Sequence, residues 1–176
     1  MRRKRFGFQH EGVMAESTRF YLCGSSESAY LVSRKGKHDV ALVGDHYGDV
    51  QAGIIDRNER FCVTVGCGFI VYFMYAPYRS YQYETVTSRW YESGRGPKNI
   101  HWYEKVRQLN DDEIELTDED GNTEIISISS LWDFGVQRQL AASHKRQDKG
   151  IVGTASPQSE DIKITARTEQ GMGSEE

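Results

Sequence analysis

No run of about 18 apolar residues occurs in the chain, and the longest apolar stretch, Phe69-Ile70-Val71-Tyr72-Phe73-Met74-Tyr75-Ala76, is far too short to cross a bilayer as a helix. Cysteine is scarce. Cys23, Cys62 and Cys67 are odd in number and lack the paired spacing of a zinc site, so they read as free thiols of a reducing compartment, packed as small apolar residues. The basic cluster Arg2-Arg3-Lys4-Arg5 is followed by Gln9, His10, Glu11 and Gly12 rather than by an apolar segment, so a secretory signal is not expected. The expected location is the cytoplasm. No similarity repeats at a period of about 20–50 residues, which argues against an array of propeller blades.

The signatures of common chemistries are missing as well. There is no Gly-x-Ser-x-Gly elbow, and Gly94-Arg95-Gly96 runs into Pro97 instead of opening a helix around a phosphate. Gly44-Asp45-His46-Tyr47-Gly48-Asp49 superficially resembles the aspartate–histidine–glycine signature of metallophosphoesterases. That family separates its first Asp and His by one residue, whereas Asp45 and His46 are adjacent and point to opposite sides of an extended backbone. With only five histidines, scattered along the chain, the stretch reads as a polar turn, and neither metal nor cofactor is expected.

Aromatic residues are absent from the last 42 positions, all twenty lying between Phe6 and Phe134. A segment without them cannot bury enough apolar area to offset its ordering entropy, so 143–176 is expected to be a disordered polar tail. Residues 1–13 read as a flexible basic N-terminus and 14–142 as a single β-rich domain, with Met14 a second candidate for the translation start. Net charge is −4, but residues 14–134 carry twelve Lys/Arg against nineteen Asp/Glu, so the folded part is the acidic part. That balance disfavours nucleic acid as a partner, and without a long apolar run no membrane partner is expected either.

What is plentiful is short β-forming runs separated by turn residues. Candidate strands are Arg19–Cys23, Ala29–Ser33, Asp39–Val43, Ala52–Asp56, Arg60–Val65, Phe69–Tyr75, Arg89–Tyr91 reaching back towards Tyr83, and His101–Gln108. Glu113–Thr117 and Thr123–Ser129 form the clearest hairpin, with Ile114 and Leu116 facing inward and Asp118-Glu119-Asp120-Gly121-Asn122 supplying the turn. The unbroken apolar run Phe69–Met74 predicts a central strand covered on both faces. Ser130 is a candidate N-cap for a helix through Leu131-Trp132-Asp133. The fold expected is mainly β, with α+β the alternative, as an antiparallel sheet, sandwich or partly closed barrel.

Three patterns could carry function. Between Arg107 and Arg138 there is no basic residue but nine acids, which makes Asp111, Asp112, Glu113 and Glu115 candidates for docking a basic protein. Tyr78, Tyr81, Tyr83 and Trp90 are candidate aromatic anchors of the same interface. If the strands containing Trp90 and Trp102 pair, the two rings share a face crowned by Arg95 and Lys98, a stacking platform for single-stranded nucleic acid or a flat ligand. An enzyme using Asp45, His46 or Cys67 is the third reading.

The runs Val43-Gly44-Asp45-His46-Tyr47-Gly48-Asp49, Ala52-Gly53-Ile54-Ile55-Asp56 and Val63-Thr64-Val65-Gly66-Cys67-Gly68-Phe69-Ile70-Val71-Tyr72 resemble small bacterial immunity proteins of polymorphic toxin systems. Trp102-Tyr103-Glu104-Lys105-Val106-Arg107 and the Ile114–Ile128 hairpin are similar to the closing strands of such proteins. The resemblance implies a non-enzymatic, cytoplasmic domain that neutralises a toxin by occluding it. A basic nuclease toxin would suit the acidic surface.

Overall fold

The structure is a computed structural model that describes residues 12–137 and 139. The segment 143–176, and the N-terminus up to residue 11, lie outside the described residues. Three antiparallel meanders follow one another in the chain. The first comprises β1 (Val13–Glu16), β2 (Phe20–Ser25), β3 (Ser28–Ser33) and β4 (His38–Asp45). The second comprises β5 (Ala52–Ile55), β6 (Phe61–Gly66), β7 (Gly68–Phe73) and β8 (Trp90–Ser93). A small hairpin, β9 (Arg95–Gly96) and β10 (Asn99–Ile100), leads to the third, made of β11 (Tyr103–Gln108), β12 (Glu113–Asp118) and β13 (Thr123–Ser127). A helix, α1, spans 128–137.

The second sheet is the middle layer, which explains why β6 and β7 are buried at every position. Alternation divides their side chains between two cores. Cys62, Ile70 and Tyr72 meet Leu22, Ala29, Leu31 and Val43 of the first sheet. Phe61, Val63, Val65, Phe69, Val71 and Phe73 meet Tyr103, Ile114 and Leu116 of the third, with Ile128 of α1. The central strand expected at Phe69–Met74 is therefore present, and the third sheet is what covers its second side. The molecule is mainly β, as expected, and the described residues form stacked open sheets.

Successive antiparallel meanders stacked in chain order repeat one another although no repeat occurs in the sequence. The repetition lies in backbone geometry and alternation, with no recurring residues to reveal it. Two local boundaries also differ from expectation. β1 begins at Val13, inside the segment read as loose, because Gly24 N–H donates to the Gly12 carbonyl at 2.9 Å and extends the ladder. Ser127, not Ser130, caps α1: its hydroxyl accepts from Ser130 N–H at 3.4 Å. Asp112 sits at the same helix end, accepting from Ser129 N–H at 2.8 Å, where a negative charge complements the helix dipole.

The turn between β5 and β6 is built on a carboxylate that the sequence places at the end of a candidate strand. Asp56 is fully buried and accepts from Arg60 N–H at 3.0 Å, Arg60 Nε at 2.8 Å and Gln108 Nε2 at 2.7 Å. Burial alone would raise its pKa, but the bonds from Arg60 and Gln108 outweigh that and leave it below the ordinary carboxylate value. Because Gln108 belongs to β11, this one side chain ties the middle sheet to the third.

Candidate functional site

At the opposite end of β6 from Asp56, the tight β6–β7 turn Gly66-Cys67-Gly68 meets the end of β4 and the start of β9. Gly68 has φ of +71°, and a Cβ there would lie 2.2 Å from the Ser93 carbonyl oxygen, so only glycine fits. Trp102 bridges to Cys67, and Gly68 N–H donates to the His101 carbonyl at 2.7 Å, which docks the third sheet onto this turn.

His46 plugs the space beneath. It is buried, with Nδ1 at 3.3 Å from the Cys67 carbonyl and Nε2 at 2.9 Å from Thr64 Oγ1. A carbonyl only accepts, so the proton belongs on Nδ1, and Nε2 accepts from the Thr64 hydroxyl. Burial, with Arg95 nearby as a second cause, lowers its pKa to about 4, so the ring is neutral at physiological pH. Cys67 is buried, and desolvation pushes its thiol up despite the opposing effect of Arg95.

Arg95 forms the floor of a cleft of about 530 Å³. Its guanidinium donates to Glu92 Oε2 at 2.8 Å, to the Tyr81 hydroxyl and to the Asp45 carbonyl, while Nε is buried without a hydrogen-bond partner among the described residues. It also lies over the rings of Tyr81, at 5.6 Å, and Tyr83, at 4.9 Å. Glu27 and Asp45 line the same cleft, and its rim carries Tyr47, Tyr83 and Ile100, which are 76%, 46% and 49% exposed. Large apolar side chains this exposed and this close together are the feature that stands out, since single exposed apolar residues are ordinary.

Asp45, His46 and Cys67, grouped in sequence reading only as an enzyme alternative, do converge here. The Trp90/Trp102 platform does not form. Trp90 lies on β8, paired with β7, and Trp102 adjoins β11, paired with β12, so the two belong to different sheets. Trp90 is instead buried and stacked on Tyr72, with ring centroids 6.3 Å apart. Tyr81, expected as an exposed anchor, is also core, its hydroxyl donating to Glu92. Tyr78 is half-buried edge-on against Phe20, and of the four aromatics Tyr83 alone is exposed.

The acidic quartet lies at the other end of the molecule, at the β11–β12 turn beside Arg60. Glu115 takes two bonds from Arg107, at 2.6 and 3.0 Å, Asp112 accepts from Ser127 and Ser129, and Glu113 accepts from Asn110 Nδ2 at 2.5 Å. Asp111 accepts from Arg60 through its carbonyl. The basic partners come from outside the Arg107–Arg138 interval, or from its boundary, which is why linear charge counting overstated the free negative charge of the band.

No family model matches the chain, and neither does any curated protein. Among solved structures it is similar to the WD40 β-propeller domain of Doa1, at 12% identity and a TM-score of 0.46, over 66% of this chain and 35% of that one. The chain thus spans about a third of the length of that structure.

Proposed function

We propose that this chain is a non-enzymatic protein-binding domain whose partner docks over the cleft mouth, with Tyr47, Tyr83 and Ile100 as anchors. The observation that carries the reading is their joint exposure around a floor held rigid by Arg95. Tyrosine offers large contact area with few rotatable bonds, and hot spots favour it. The acidic balance of residues 14–134 selects a partner with a basic surface, and the resemblance to immunity proteins makes that partner a toxin which the domain occludes. Asp111, Asp112, Glu113 and Glu115 then act at long range on association, since their positions are remote from the cleft.

Affinity capture from the native host tests this, using the full chain as bait beside a Tyr47→Ser, Tyr83→Ser bait. The reading expects a protein with a basic surface, held by the first bait and lost from the second. Recovery of nucleic acid, or equal recovery on both baits, contradicts it.

A second reading, an enzyme using Asp45, His46 or Cys67, draws on their convergence at the cleft. Against it, both ring nitrogens of His46 are engaged and the Cys67 thiol is buried. Rapid alkylation of Cys67 at neutral pH in the folded protein would favour the enzyme.

A further inference from the structure

Among the described residues the third sheet stops one strand short of its neighbours: the first and second have four strands, and the third ends on β13 after three. The outer strand of the first sheet, β4, is capped where Tyr81 N–H donates to the Leu42 carbonyl at 2.8 Å. β13 has no such cover among the described residues. Two bonds fix the direction of its backbone groups. Asp118 N–H donates to the Asn122 carbonyl at 3.0 Å and Ile128 N–H to the Asp112 carbonyl at 2.7 Å, with Glu113 opposite Ser127 and Thr117 opposite Thr123. Asn122, Glu124, Ile126 and Ile128 therefore bond to β12, and Thr123, Ile125 and Ser127 turn their backbone groups outward. The Ile125 side chain is 58% exposed. Thr123-Glu124-Ile125-Ile126-Ser127 contains neither the Lys nor the Pro that commonly protects an open edge.

We propose that β13 pairs antiparallel with β13 of a second copy of this chain, across a two-fold axis at Ile125. In that register Ile125 exchanges both backbone bonds with its counterpart, Ser127 N–H reaches the Thr123 carbonyl of the other copy, and the two exposed isoleucines lie side by side. Glu124 faces Ile126 of the other copy, so no like charges oppose. Centring the pairing on Glu124 would set two carboxylates against each other, and centring it on Ile126 would run it into α1. A pairing of five residues buries much less than the roughly 1,200–2,000 Å² of a stable interface, so the dimer forms only as concentration rises.

Sedimentation velocity on the full chain, from about 10 μM to about 1 mM, reads the equilibrium directly. The average mass should climb towards twice that of one chain. Ile125→Lys should abolish the rise. Ile125→Pro should do the same, because the N–H it removes points away from β12 and the fold does not use it. Ile125→Cys should give a disulfide-linked dimer on mild oxidation, since opposed residues of a bonded pair lie about 5.5 Å apart at Cα, within disulfide range. A chain that stays monomeric at the highest concentration, or a dimer that survives both the Lys and the Pro substitutions, overturns the proposal.

Discussion

His46 links the stability of the fold to pH. Its pKa is about 4 in the folded chain against an ordinary value of 6.5, so between those values the unfolded state binds more protons. The stabilisation is fully present above pH 6.5 and is lost as pH falls towards 4, by about 3 kcal/mol in total. Denaturant melts at several pH values, run beside His46→Gln, should show the wild-type chain losing that much more than the variant. Equal slopes for the two would mean that the ring is not held neutral. Asp56 acts through a different bond set. Asp56→Asn weakens the buried acceptor of the bonds from Arg60 and Gln108, and because Arg60 is half-exposed and stays solvated, about 1–3 kcal/mol of destabilisation is expected at neutral pH. The wild-type contribution should fade as pH drops through the depressed pKa of Asp56, below the ordinary carboxylate range. Neither role was legible in the sequence, where His46 reads as part of a polar turn and Asp56 as the last residue of a candidate strand. Their partners, Thr64, Cys67 and Gln108, lie 18, 21 and 52 positions away.

The strands themselves were legible, because alternation and turn chemistry are local signals. Ile114 and Leu116 could be assigned to the inner face from the hairpin alone. What alternation cannot convey is which sheet a strand joins. Trp90 and Trp102 look like facing positions of one hairpin, but the residues between them fold into β9 and β10 and carry the chain across to the next sheet. The candidate cleft was hidden for the same reason, since Asp45, Cys67, Tyr83 and Arg95 come from four separate stretches of chain. The glycines Gly44, Gly66 and Gly68, spaced around the two turns that meet there, were the one local hint of close packing. The layered arrangement makes its own prediction. Leu31 and Leu116 are both fully buried but lie in different cores on opposite sides of the middle sheet. Each Leu→Ala substitution should cost about 2–5 kcal/mol. Without shared partners the two costs should add in the double variant to within about 0.5 kcal/mol, as denaturant melts can measure. Strong non-additivity would mean that the two cores are one.

At the scale of the whole molecule, the cleft and the acidic turn sit at opposite ends of the middle sheet, so under the proposed function their contributions to recognition can be tested separately. Neutralising Asp111, Asp112, Glu113 and Glu115 together should slow association and flatten its salt dependence with little change in dissociation, since remote charge acts on encounter. Because Asp112 also holds the start of α1, a thermal melt must accompany the kinetics. The cleft, by contrast, should govern residence time. The most direct measurement is therefore the dissociation rate of the captured partner from wild-type chain and from Tyr47→Ala and Tyr83→Ala, at fixed salt. Loss of a central aromatic anchor should cost about 2 kcal/mol, so each variant should release the partner about thirtyfold faster with association almost unchanged. Dissociation rates matching the wild type in both variants would contradict docking at the cleft.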